Sequence, residues 1–215
     1  MPSTSRDRLV VFAKAAQVHA VKTRLMPLLG AAGAAALHRR LVEHTMDTAR
    51  VAGAELELCA SSVDDGFLRD CAQRQGARLT AQGAGDLGRR MHAAFQRALD
   101  SERCSAAVLI GSDCPALTPR HLRLAFTALK DHDAVIAPAE DGGYVLIGLS
   151  RLDPSLFEDI EWGTDRVMAH TRQRLAALGW RWHELETLWD IDRPADYERL
   201  LASRLLTRAA AQAPP

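Results

Sequence analysis

The chain has 215 residues, 47% of them hydrophobic, which is enough to bury a full core and predicts one domain over 1–215. Its formal net charge of +0 argues against an electrostatic nucleic-acid binder. No apolar run reaches membrane-spanning length, and the polar start MPSTSRDR lacks the apolar stretch of a secretory signal.

Strand and helix patterns alternate along most of the length. Leu9 to Ala13 reads as an apolar strand and 31–52 as a long helix with Leu37, Leu41, Met46 and Val51 along one stripe. Leu56 to Ala60 is a second strand, Phe67 to Gln75 a short helix, and Ala77 to Leu79 a brief strand. A helix runs from Asp86 to about Leu99, with Leu87, Met91, Ala94, Phe95 and Ala98 at helical spacing. The run Ala106 to Ile110 is a buried strand, followed by Asp113 in a small-residue turn and a helix over 119–130 with Thr118 as N-cap and Pro119 at its first position. A strand at Ala134 to Ala137 and another at Tyr144 to Leu149 flank Asp141-Gly142-Gly143. A helix at 164–178, an alternating stretch from Trp180 to Leu188 and a helix at 194–206 complete the chain, with 1–7 and 208–215 expected to fray. This order predicts an α/β fold, a mostly parallel central sheet with helices on both faces.

Cys59, Cys71, Cys104 and Cys114 show no C-x-x-C pairing, so the expectation is a reduced, cytoplasmic protein in which Cys114 is a small buried thiol rather than a nucleophile. Asp113 lies just past a central strand, where open α/β sheets bind ligands; it either contacts a metal or ribose or caps its own turn. The loop after the first strand is neither G-x-G-x-x-G nor G-x-x-x-x-G-K-[ST], which removes most of the weight from dehydrogenase and P-loop readings. Lys14 and Lys22 flank it and, with Lys130, are the only lysines of an arginine-rich chain. A lysine suits a phosphate as a point charge, and Arg24 could grip one with two nitrogens; the alternative is a solvated basic loop.

The Gly-rich stretch with Gly85, Asp86 and Gly88 opens a helix, whose N-terminal N–H groups can hold a base edge or an anion, although Asp86 could equally be an N-cap. Around Glu140, Asp141, Gly142 and Gly143, paired glycines allow close backbone approach and two carboxylates could orient hydroxyls or accept a proton; a hairpin turn explains the same residues. Asp190 and Asp192, two residues apart, would face one way if extended. Joined by Asp113, they would form a hard-oxygen site for Mg²⁺ or Mn²⁺, unless Asp192 merely caps the helix that Pro194 begins.

FAKAAQVHAVKTRL, GAGDLGRRMHAAF, IGSDCPALT, APAEDGGYVLIGL, the segment Phe157 to Thr171 and WDIDRPAD resemble successive blocks of the DUF2064 glycosyltransferase-like proteins. That family falls within the GT-A nucleotide-diphospho-sugar transferases and is similar to the guanylyltransferases for 2-phospholactate and the molybdenum cofactor. The resemblance runs from about Leu9 to Tyr197 and implies a Rossmann-like GT-A fold. It further implies that Lys14, Lys22 and Arg24 hold nucleotide phosphates and that Asp113, Asp190 and Asp192 supply the metal ligands. The chain departs from the family pattern at Ala16 and His19, usually Pro and Gly, at Arg89, usually Glu, and at Pro115, usually a second Asp.

The expected function is a metal-dependent transferase with a nucleotide-sugar donor and a small-molecule acceptor, in which Asp113, Asp141 and Lys22 are the catalytic residues. Alternatives are a nucleotidyltransferase using a nucleoside triphosphate and a nucleotide-binding protein without turnover. No nucleic-acid or membrane partner is expected, and a homodimer is left open.

Overall fold

A computed structural model of the protein describes residues 7–100 and 104–206. The expected frayed segments 1–6 and 208–215 lie outside the described residues, whereas Asp7 is tied down, its carbonyl accepting from the Glu55 N–H at 2.9 Å.

Seven strands form one sheet in the order β3-β2-β1-β4-β6-β5-β7: β1 (Arg8–Ala13), β2 (Glu55–Ala60), β3 (Arg78–Ala81), β4 (Ala107–Gly111), β5 (Ala134–Pro138), β6 (Tyr144–Leu149) and β7 (Trp182–Glu184). β6 runs antiparallel to both of its neighbours, β4 and β5, and every other pairing is parallel. The reversal comes from the Asp141-Gly142-Gly143 turn, since a short hairpin can join only antiparallel strands. The helices are α1 (Met26–Arg50), α2 (Gly66–Gln75), α3 (Leu87–Leu99), α4 (Pro119–Ala128), α5 (Val167–Ala177) and α6 (Pro194–Ser203).

Strand alternation divides the core in two. In β1, Leu9 and Val11 pack with Val42 and Met46 of α1, Leu68 of α2 and Leu122 of α4. Val10 and Phe12 point the other way, to Met91 and Phe95 of α3 and Met168 and Leu175 of α5. A period of two therefore sends successive side chains into separate layers, and burial of each large aliphatic side chain contributes about 1.5–3 kcal/mol. A third cluster fastens α6 to α1 through Leu37, Leu41, Ile191 and Leu200.

Element boundaries move for identifiable reasons. The helix expected over 31–52 begins earlier, at Met26, with a kink at Gly30 (φ 69°), and ends at Arg50. β3 covers 78–81 rather than 77–79, and α5 starts at Val167 because Gly163 to Arg166 form a turn. The alternation from Trp180 to Leu188 yields only three strand residues; beyond Glu184 the chain keeps single bonds to the β5 edge, Leu185 N–H to Ile136 O (2.8 Å) and Leu188 N–H to Pro138 O (2.9 Å). Arg204 takes a left-handed conformation (φ 56°) and stops α6 short of 206.

Candidate functional site

The parallel strands β1 and β4 end side by side, and the loops that follow them converge there. Past β4, Asp113 meets Lys22 from the loop after β1, with Nζ 2.9 Å from Oδ2. The Lys22 ammonium also donates to the Ile191 carbonyl, and the Ile191 N–H donates to the Asp113 carbonyl at 3.0 Å. Three segments remote in sequence are thus bound into one knot. The Lys22 side chain is only 6% exposed, while the Asp113 carboxylate remains 43% exposed. Burial alone would raise the Asp113 carboxyl, but the charge and hydrogen bond of Lys22, helped by His38 and Lys14, outweigh it and hold the group below its ordinary value. Arg24, one turn on, pairs with Asp192.

His38 of α1 bonds the Lys14 carbonyl through Nε2 at 2.9 Å. Burial lowers its pKa despite that bond and the nearby Asp113, so at neutral pH the ring is neutral and Nε2–H is a donor anchoring the loop. Within the loop, His19 holds φ 69° and Lys22 φ 49°. The resemblance places Gly where His19 stands, and the backbone there indeed adopts the conformation that favours glycine.

Two cavities flank the knot. The first, about 610 Å³, is lined by Phe12, Lys14, Lys22, Arg24, His38, Gln82, Leu87, Arg90, Ser112, Asp113 and Asp192 among others. The second, about 460 Å³, is lined by the carboxylates of Glu140, Asp141, Asp165, Asp190, Asp192 and Asp196, with Arg24, Arg193, Thr164 and Trp189. Arg24 and Asp192 belong to both walls, so the basic and acidic cavities adjoin. A further cavity of about 560 Å³ lies at the opposite ends of the strands, where β1 and β2 begin, beside Lys130, which is therefore remote from this site.

In the acidic cavity, burial and then the charges of Asp141 and Asp113 raise the Asp190 carboxyl to about 6, with Lys22 pulling the other way. The neighbouring acids are differently engaged. Glu140 binds Arg199 at 2.7 Å, which lowers its pKa, and that guanidinium sits 4.3 Å over the Trp189 ring. Asp141 accepts from the Gly143 N–H at 2.9 Å.

Other expected site residues are engaged within the protein itself. Gly142 (φ 89°) does make a close approach, but to its own chain: a Cβ there would come within 2.2 Å of the Asp165 carbonyl oxygen. Asp86 spends its carboxylate on the N-cap of α3, accepting from the Arg89 N–H at 2.8 Å. Gly88 packs against the Phe157 carbonyl and the Trp162 ring, turned with Asp86 toward a separate groove. Gly85 takes φ 99° in the approach to α3 and is not part of the basic wall. Asp192 does not cap α6; Asp196 does, accepting from the N–H groups of Arg193 (2.6 Å) and Asp192 (3.0 Å). The expected three-carboxylate metal site is not assembled, for among the described residues no three His, Cys, Asp or Glu side chains gather as a metal cage. Lys22 and Arg24 already neutralise Asp113 and Asp192, so the donor set does not fit an all-protein Mg²⁺ or Mn²⁺ site. Cys114 is a buried free thiol that burial pushes up to about 12, as expected of an inert core cysteine.

The sequence reading missed Gln82, Arg90, His38 and Ser112, all in the wall of the basic cavity. Arg90 had a usable signal: it sits one turn into a helix that follows a strand end, in an arginine pair. Its Nε is buried and has no hydrogen-bond partner among the described residues.

A family model described as "Uncharacterized protein conserved in bacteria (DUF2064)" matches residues 45–164, just over half of the chain. No curated protein matches. Among solved structures, the chain is similar to a protein of Desulfovibrio desulfuricans G20 provisionally named a nucleotide-diphospho-sugar transferase, at 28% identity, TM-score 0.81, and coverage of 95% of this chain and 98% of the other. It also resembles Rv0371c of Mycobacterium tuberculosis H37Rv in its complex with manganese (19% identity, TM-score 0.58, 92% and 99% covered). A third relative is the inositol-1-phosphate CTP transferase of T. maritima (14% identity, TM-score 0.58, 98% and 99% covered). At those identities the last two show the fold alone, a Rossmann-like α/β domain.

Proposed function

The chain belongs to the DUF2064 family, and from that premise we propose that it is a transferase acting on a nucleotide-sugar donor. The observation that carries the reading is the Lys22–Asp113 knot standing between a basic and an acidic cavity. Donor phosphates lie against Lys14 and Arg90, with Lys22 and Arg24 at the junction, and the sugar extends toward Asp141 and Asp190. Of these cations Lys22 is the one nearly buried, and it acts strongly on charge developing at a departing phosphate because little water screens it.

An acceptor hydroxyl attacks the anomeric carbon, forming a new C–O bond as the bond from that carbon to the phosphate oxygen breaks. The electron pair leaves with the nucleoside diphosphate. The hydroxyl proton passes to the Asp190 carboxylate, whose pKa of about 6 suits proton transfer near neutral pH. These steps are carried by the chain's own residues; a divalent cation, which binds through one or two carboxylates together with substrate phosphates, would add charge neutralisation at the departing diphosphate.

A second reading, transfer of a nucleotidyl group from a triphosphate to a phosphorylated acceptor, is supported by the fold shared with the T. maritima enzyme. Product analysis separates the two: nucleoside diphosphate release marks glycosyl transfer, and pyrophosphate release marks nucleotidyl transfer. In either case Lys22→Met is expected to reduce kcat/KM roughly ten- to a hundredfold, the equivalent of about 1.5–3 kcal/mol for a bond to a charged group. A folded Lys22→Met enzyme of normal efficiency would remove the phosphate role from this loop.

A further inference from the structure

Gln82 follows β3, is only 6% exposed, and yet reaches the wall of the basic cavity. Its Nε2 donates to two backbone carbonyls, those of Ala13 (3.2 Å) and Cys59 (3.0 Å), at the ends of β1 and β2. Those bonds use both amide hydrogens and identify which end of the side chain is nitrogen. The oxygen Oε1 is left as a pure acceptor with no partner among the described residues. Unlike the sealed unpartnered atoms of the structure, such as Arg90 Nε, Oε1 is open to the cavity, and an acceptor fixed there by two bonds on the same amide is positioned to receive a ligand donor.

The surroundings indicate which donor. Phe12, 8% exposed, and Leu87, an apolar side chain left 43% exposed, line the same cavity and offer apolar surface to a flat ring. The Gln82 amide sits over the β1–β2 boundary, one to two strand spacings from the β4 end that carries Asp113. At about 4.8 Å per spacing this is roughly 5–10 Å, the order of the distance from a nucleobase to its phosphates.

We infer that Gln82 reads the nucleobase, its Oε1 accepting an N–H from the base edge, so that the cavity prefers a base presenting a donor at that position. The inference rests on the nucleotide reading of the basic cavity. It makes Gln82 a specificity-determining residue as well as a clamp on two strand ends.

The test crosses these two roles. Binding of ATP, CTP, GTP, UTP and inorganic triphosphate is measured by calorimetry on the full chain and on two variants. Gln82→Lys retains donation to the two carbonyls and loses the acceptor; Gln82→Glu retains an acceptor and loses the donors. The wild type is expected to favour one base about tenfold over the least favoured, the value of one well-made hydrogen bond. Gln82→Lys should bring the four within about twofold while still binding triphosphate, and Gln82→Glu should keep the wild-type order. The opposite pattern, with preference kept by Lys and lost by Glu, would leave Gln82 as a clamp only and overturn the inference. As a check independent of variant folding, the preferred nucleotide is compared with its analogue lacking the edge N–H, where tenfold weaker binding is expected and equal binding overturns the idea. Wild-type protein that binds triphosphate without distinguishing bases refutes the Gln82 role alone. Binding of neither triphosphate nor nucleotides refutes the nucleotide reading beneath it.

Discussion

Replacing Asp190 with Asn should make the protein more stable and less active, with the stability gain confined to a defined pH range. Burial, Asp141 and Asp113 raise the Asp190 carboxyl from 3.8 to about 6, against the pull of Lys22. A raised folded-state pKa means the native state holds this proton more tightly than the unfolded chain. Its stabilising effect is complete below about pH 3.8 and is lost as pH rises through about 6. The full shift corresponds to about 3 kcal/mol, which solvent screening of a partly exposed group reduces to the order of 1–2 kcal/mol. Asn resembles the neutral acid and does not titrate. Above pH 7 the variant should therefore be about 1–2 kcal/mol more stable, a rise in Tm of roughly 2–8 °C for a chain of this size. The gap should shrink steadily below pH 6 and be small by pH 4. Urea midpoints for both proteins at pH 8, 5 and 4, with equal m-values, measure it directly. A gap independent of pH, or a variant less stable at pH 8, would refute the electrostatic account. Loss of turnover in the same variant at pH 8 is the functional counterpart, since the crowded carboxylate is also the proposed proton acceptor.

Two further substitutions test the backbone that shapes the site. His19→Gly should stabilise the protein by about 0.5–1 kcal/mol, because relief of a left-handed residue outweighs the extra chain entropy of glycine; a lower Tm would show that His19 makes compensating contacts. Gly142→Ala should cost about 2 kcal/mol or more, lowering Tm by roughly 5 °C or more, since its Cβ would overlap the Asp165 backbone at a φ of 89°. An unchanged Tm there would mean that the turn relaxes without penalty.

The parts of this architecture that were legible in sequence were those written in contiguous residues. A run such as Ala106 to Ile110, short and bounded by turn residues, reads as a buried strand, and Thr118-Pro119 reads as a helix start. Since each strand of a βα pair ends at the same edge, Lys14, Asp113 and Asp141 could be placed on one side of the sheet without coordinates. What remained hidden was partnership. An Asp at 192 and an Asp at 196 carry the same chemistry, and only the fold shows that 196 caps α6 while 192 pairs with Arg24. The ion pair at Asp113 was hidden for the same reason: carboxylates near it could be counted, but not the Lys22 ammonium held against one of them. Gln82 gave no local signal at all, being a lone amide after a short strand, and its meaning comes from two carbonyls contributed by β1 and β2.

His19 shows why identity and conformation must be read separately. A family pattern with Gly at that point suggests that a substitution weakens the phosphate-gripping conformation of the loop. The backbone instead keeps φ at 69° with a histidine in place, while the His38 bond to the Lys14 carbonyl and the Lys22–Asp113 knot hold the loop at its two ends. A strained residue persists only where its surroundings over-determine it. The departure at His19 is therefore a cost in stability carried by a loop whose form is set elsewhere, and it leaves Lys14 and Lys22 facing the cavity they line.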